Sequence, residues 1–225
     1  MHTRLALLTA ALLLLSLSTA FAQTRPAAEA PIPDLTAATG LIRLPSAYVQ
    51  HDSEVSLFTS AEPHSANVGV LAGIDNRVEV GVASRELGGR AGTAFGTAKA
   101  NLVPEQLLSP AVSVGVVDPF DSGGSGRSGY VVVSKDVIPY FMEAISGRTD
   151  FSLKLHTGYG GGMFRRRAFA GVEIIHSTGL GLIGEVVSGR GSAGLRFSRN
   201  GFAATAAMLD ARDAAGSVSY SLDWR

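Results

Sequence analysis

From Glu54 to Trp224 the chain is a succession of short runs in which apolar residues alternate with polar or small ones at a period of two. That period is the mark of strands whose successive side chains point to opposite faces. Twelve runs are predicted: EVSLFTS (54–60), ANVGVLAG (66–73), RVEVGVAS (77–84), TAFGTAKANL (93–102), PAVSVGVV (110–117), GYVVVSK (129–135), FSLKLHT (151–157), RAFAGVEII (167–175), LGLIGEVVS (180–188), SAGLRFS (192–198), GFAATAAML (201–209) and SVSYSLDW (217–224). Glycine, asparagine, aspartate and serine clusters separate them, as hairpin connections require. No long amphipathic helical pattern intervenes, so antiparallel hairpins are expected rather than parallel β-α-β wiring. One stretch stands apart: DVIPYFMEAISG (136–147) reads either as a short helix with Pro139 in its first turn or as an irregular loop.

Alternation alone suits a soluble sandwich as well as a membrane barrel, and the polar parity discriminates between them. It carries sparse charges among many small residues, such as Glu79 beside Gly81 and Ala83, Gly171 beside Glu173, and Arg196 between Gly194 and Ser198. A water-facing sheet usually carries more long polar side chains, whereas a narrow closed lumen needs small ones. Strands of about nine residues, tilted near ~40°, rise ~23 Å, close to the ~25 Å apolar band of outer-membrane barrels. With the first strand rising from the periplasm, IDN, HSTG and RN are short periplasmic turns, and AEPHS, RELGGRAG, DPFDSGGSGRS and GYGGGMFRR are longer outer loops; the connections after the fourth and sixth runs and the short GR between the ninth and tenth break this rhythm. The expected fold is all-β: an antiparallel up-and-down transmembrane β-barrel of about 12 strands (10–12).

The last run places Val218, Tyr220, Leu222 and Trp224 on one face. In a closed barrel the final strand pairs with the first, and an aromatic near its end sits at the lipid–water interface. These four residues resemble the C-terminal signal read by the barrel-assembly machinery, with Arg225 following the aromatic. Phe95, Tyr130, Phe151, Phe202 and Trp224 near strand ends form a partial aromatic girdle.

The front of the chain adds a compartment. Residues 1–22 combine a basic start at Arg4, an apolar run from Leu5 to Leu17 and Ala20-Phe21-Ala22, the pattern of a cleaved secretory signal peptide. No cysteine is present, so neither lipidation nor a disulfide framework is expected. Cleavage would leave 18 basic against 19 acidic residues, and this balance argues against a nucleic-acid partner. Residues 23–38, rich in proline and alanine, read as an extended or mobile lead-in to a barrel domain over 39–225.

TGLIRLPSAYVQHDSEVSLF (39–58) resembles the start of the YjbH-type exopolysaccharide-associated outer-membrane barrels, through Thr39, Gly40, Leu41, Pro45, Ser46, Ala47 and Asp52, with Ser53 where glycine is usual. LHTGYG (155–160), AFAGVEI (168–174) and SAGLRF (192–197) are similar to strands of that family. The resemblance implies an outer-membrane location, lipid and export proteins as partners, and an accessory role in polysaccharide production or export as a narrow conduit or docking partner. It supplies no catalytic residues and no cofactor.

Arg77, Glu79, Lys99, Lys154, His156, Glu173, Glu185 and Arg196 are expected to form a mixed-charge lumen network, because charges inside a barrel need partners. The competing enzymatic reading makes His156 a base; Ser152, four residues away on the same strand, lies ~13 Å from it. A partner would have to come from a neighbouring strand, with Glu173 one candidate. GYGGGM lacks the Lys-Ser/Thr of a phosphate loop and reads as a flexible hairpin tip. Arg165, Arg166 and Arg167 beside it suit either lipopolysaccharide phosphates or a solvated turn. His51-Asp52 and His64 lack metal-ligand spacing, and no metal site is expected. A soluble periplasmic barrel or sandwich holding a small ligand, and a barrel enzyme acting on lipid or polysaccharide, are the alternatives.

Overall fold

The computed structural model describes residues 31–87, 90–123, 126–137 and 150–224; residues 1–22 and nearly all of 136–147 lie outside these. Twelve strands follow in chain order: β1 (Glu54–Glu62), β2 (Ser65–Ile74), β3 (Val78–Leu87), β4 (Arg90–Val103), β5 (Ala111–Val117), β6 (Ser128–Asp136), β7 (Phe151–Gly160), β8 (Arg167–His176), β9 (Leu180–Val187), β10 (Arg190–Arg199), β11 (Phe202–Leu209) and β12 (Asp213–Asp223). Each pairs antiparallel with its predecessor, and β12 returns to β1, with Glu54 opposite Asp223 and Ala61 opposite Gly216. Closure leaves no sheet edge exposed. The last strand is therefore held along its length, and Trp224 N donates to Ser53 O at 3.2 Å.

The alternation resolves into two chemically opposite faces. Outward positions include Val68, Val82, Leu182 and Leu195, all more than half exposed. Inward positions hold Phe58, Leu71, Phe95, Val132 and Phe169 together with Glu79, Lys99, Glu173, Glu185 and Arg196, all buried. The four C-terminal residues share the outward face; Leu222 and Trp224 are exposed, while Tyr220 is covered between its register partners Leu57 and Phe202.

Three expectations need correction. Phe95 and Tyr130 point inward and are buried, so the aromatics on the outer face of the strands include Phe151, Phe197, Phe202 and Trp224 towards one end and Tyr159 towards the other. The loop asymmetry is absent. At the end where β1 starts, the connections run from two residues (200–201) to the long β6–β7 segment; at the opposite, upper end, four of the six span two or three residues. The strands themselves absorbed the expected loops: β12 begins at Asp213 rather than Ser217, because Ala214, Ala215 and Gly216 carry no alternation but still pair with β11. Nor is GYGGGM a loose tip. Its first residues complete β7, and a 3₁₀ turn over Gly162–Phe164 buries Phe164 against Tyr130 and Phe169.

Candidate functional site

The lumen is filled by the chain's own residues 31–53. Leu35, Ala37, Leu41, Ile42, Leu44 and Ala47 are each at most 2% exposed and join the inward aromatics and aliphatics in a single core. This segment cannot extend a strand: Pro31, Pro33 and Pro45 withhold donors, and Asp34 turns the chain by accepting at Oδ1 from Thr36 N, Thr36 Oγ1 and Ala38 N. It folds back on itself instead, with bridges between Pro33 and Thr39 and between Gly40 and Pro45. Gly40 is required there, since a Cβ would lie 2.3 Å from Leu44 O. A boundary at 38/39 thus falls inside the plug, and 31–38 are packed, not a lead-in.

An irregular backbone in a closed space must find partners for its N–H and C=O groups, and the wall charges provide them. Glu79 on β3 accepts from Thr39 N, Thr39 Oγ1 and Gln50 N. Glu185 on β9 accepts from three successive amides, Ile42, Arg43 and Leu44, at 2.9–3.2 Å, a backbone nest closed around a carboxylate. Arg196 on β10 donates to Gly40 O and Leu41 O and pairs with Glu173 at 2.6 Å. Lys99 on β4 donates to Thr39 O and Thr39 Oγ1 and lies 3.4 Å from Glu79. Neutral groups complete the cradle: Ala47 O accepts from Asn101 and Ser113, Ala37 O from Thr97, and Leu35 O from Asn67.

The predicted network is therefore only partly a network of charges pairing with one another. Glu79–Lys99 and Glu173–Arg196 are ion pairs, yet each pair also holds the plug through at least one member. Glu185 is satisfied chiefly by backbone amides. Arg77 stands in the exposed β2–β3 turn, away from the lumen charges. Lys154 is half-buried, its ammonium 4.9 Å from the Tyr48 ring centre. His156 finds Ser134 on β6, with Nδ1 2.8 Å from Oγ, rather than Glu173. That pair resembles a nucleophile and base in composition, but Ser134 is fully buried and its oxygen already accepts Ala47 N at 2.8 Å. Arg165, Arg166 and Arg167 are exposed at the upper end. His51 lines a cavity at the lower end, and His64 is exposed in the β1–β2 turn. Among the described residues, no three side chains are grouped to hold a metal.

Two plug residues have displaced ionisation. Burial pushes the Asp34 carboxyl up to about 7, against the opposing pull of its bonds from Thr36 and Ala38. Burial first, then the hydrogen bond to Glu105, raises the Tyr48 hydroxyl above its ordinary range. Below the plug, a cavity of about 580 Å³ opens between Tyr48, Glu105, Lys154 and Arg196 at the lower end.

Sequence reasoning found the acceptors and donors of the wall but missed what they hold. The available signal was the segment's own composition: residues 31–50 carry only Asp34 and Arg43 as charges and contain Leu35, Leu41, Ile42 and Leu44, too apolar for a solvated tether.

No protein-family model matches the chain, and no curated protein matches it in sequence. Among solved structures, the one titled KdgM porin is similar in fold, with a TM-score of 0.50 at 10% sequence identity, covering 76% of this chain and 99% of that one. The chain is a closed twelve-stranded antiparallel barrel of porin-like fold.

Proposed function

We propose that this protein is an outer-membrane β-barrel of a bacterial envelope, exported through a cleaved signal peptide, with a non-catalytic accessory role in exopolysaccharide production or export. One observation carries the location: the molecule is inside out. Its exposed faces are apolar along the strands, while Glu79, Lys99, Glu173, Glu185 and Arg196 are buried in the centre. Lipid solvates the first arrangement, and a closed sheet with satisfied charges permits the second. The porin-like fold and the resemblance of 39–58 to YjbH-type barrels support the same reading.

The filled lumen favours the docking role over the standing conduit, since the plug occupies the path a polymer would take. Of Val218, Tyr220, Leu222 and Trp224, which share one parity, Leu222 and Trp224 are exposed where the assembly machinery would read them. Fractionation of expressing cells tests the location: carbonate-resistant protein in the outer membrane is expected, and recovery in the soluble periplasm overturns it. Deletion of the gene should lower secreted polysaccharide and complementation restore it. An unchanged yield overturns the accessory role.

A further inference from the structure

The upper end of the barrel gathers arginines from four separated parts of the chain. Arg43 of the plug, Arg85 of β3, Arg165 of the β7–β8 loop and Arg190 of β10 line one recess of about 270 Å³, in which Glu62 is the single carboxylate. Arg43 Nη2 donates to Glu62 at 2.7 Å and Arg190 Nη1 lies 3.4 Å from Asp210 of the β11–β12 turn, yet the guanidinium groups outnumber the carboxylates paired with them and the recess keeps a net positive charge. Hydroxyls of Thr36, Ser65 and Ser192 stand among them. Bringing like charges together costs free energy unless an anion answers them.

The backbone shows that this gathering is held in place. Arg165 and Arg166 both adopt left-handed φ, 59° and 53°, where non-glycine residues are uncommon and strained. Phe164, only 1% exposed, anchors the loop from below, and Ser188 Oγ donates to its carbonyl at 2.9 Å. Arg85 is steadied by donating to Asn67 Oδ1 at 3.0 Å and by lying 4.6 Å over the Phe95 ring. Glycine would make the 165–166 turn without strain; arginine there accepts the strain and stands exposed at the rim.

We propose that this recess is an anion-binding site that takes one phosphate or carboxylate group through the forks of Arg165 and Arg190, with Arg43 completing the contact from the plug. Guanidinium forks match paired anionic oxygens, and the recess is below the ~300 Å³ at which drug-sized pockets begin, so it admits one group rather than a chain segment. Because Arg43 belongs to the plug and the other three arginines to the wall, the bound group spans both. The site stands independently of where the barrel resides.

The test is calorimetric titration of the full mature chain in detergent micelles at low salt with inorganic pyrophosphate, with glucuronate and with neutral glucose. Saturable binding of at least one anion and none of glucose is expected. Arg165→Gln/Arg190→Gln should weaken it by about tenfold or more, whereas Arg199→Gln, exposed at the opposite end, should leave it unchanged. Arg165→Gln alone, an exposed truncation, keeps the test readable if the double variant folds poorly. Preference for glucuronate assigns a carboxylated glycan as the source, and preference for pyrophosphate a phosphate-bearing glycan or lipid. No saturable binding of either anion by the unmodified chain up to about 10 mM, or binding that survives both variants, overturns the site.

Discussion

Arg196 shows how much a single wall residue carries. Its guanidinium neutralises Glu173 and donates to two plug carbonyls, all in a space 4% exposed or little more. Arg196→Met keeps the volume but strands a buried carboxylate and two acceptors, which should cost about 3–5 kcal/mol. A urea titration of the folded barrel in liposomes reads this as a lowered midpoint. Asp34 gives a pH dependence. Its carboxyl is raised to about 7 in the seated plug, while a solvated aspartate titrates near ~3.9. The seated state therefore holds the proton more tightly. Its contribution is complete below the solvated value and is lost as pH rises towards and through about 7. Amide exchange across residues 35–47, corrected for intrinsic rates, should accelerate between pH 4 and pH 8 in the native chain and lose that slope in Asp34→Asn; parallel slopes would contradict the assignment.

At the scale of elements, the strands were legible and the plug was not, for one physical reason. A strand between lipid and lumen must alternate at every second residue, so the pattern is written locally. A plug residue is chosen by what surrounds it in space, and Ile42, Arg43 and Leu44 owe their conformation to Glu185, more than 140 positions away. The same logic explains why β12 began earlier than expected, since Ala214 and Ala215 are set by pairing rather than by pattern. Gly171 links the two kinds of element. It lies on the inward face of β8, where a Cβ would approach Leu41 Cδ2 to 2.7 Å and Leu44 Cδ1 to 3.2 Å. Gly171→Val should leave the sheet intact and unseat the plug, an overpacking cost of about 1–3 kcal/mol. Exchange at Leu41–Leu44 would then rise about 5- to 150-fold with the strand amides unchanged, and equal acceleration of both would place the damage in the barrel instead.

For the whole molecule, the wall and the plug form one core. The wall supplies closure and an apolar exterior; the plug supplies the interior volume that twelve strands cannot fill with small side chains alone. The charges expected from the sequence to pair with one another do so in part and also bind a backbone, and this makes the filled state specific rather than merely neutral. The most direct test uses the absence of native cysteine. Ala47 N donates to Ser134 Oγ at 2.8 Å, so Ala47→Cys/Ser134→Cys brings one thiol from the plug against one from the wall. Intact cells carrying this pair are treated with a short thiol cross-linker, and carbonate-washed outer membranes are then examined by gel mobility, with Ala47→Cys/His64→Cys as the distant control. A cross-linked band from the first pair and none from the second is the predicted result. Membrane-embedded protein in which the first pair stays uncross-linked would contradict a lumen filled by the chain's own N-terminal segment.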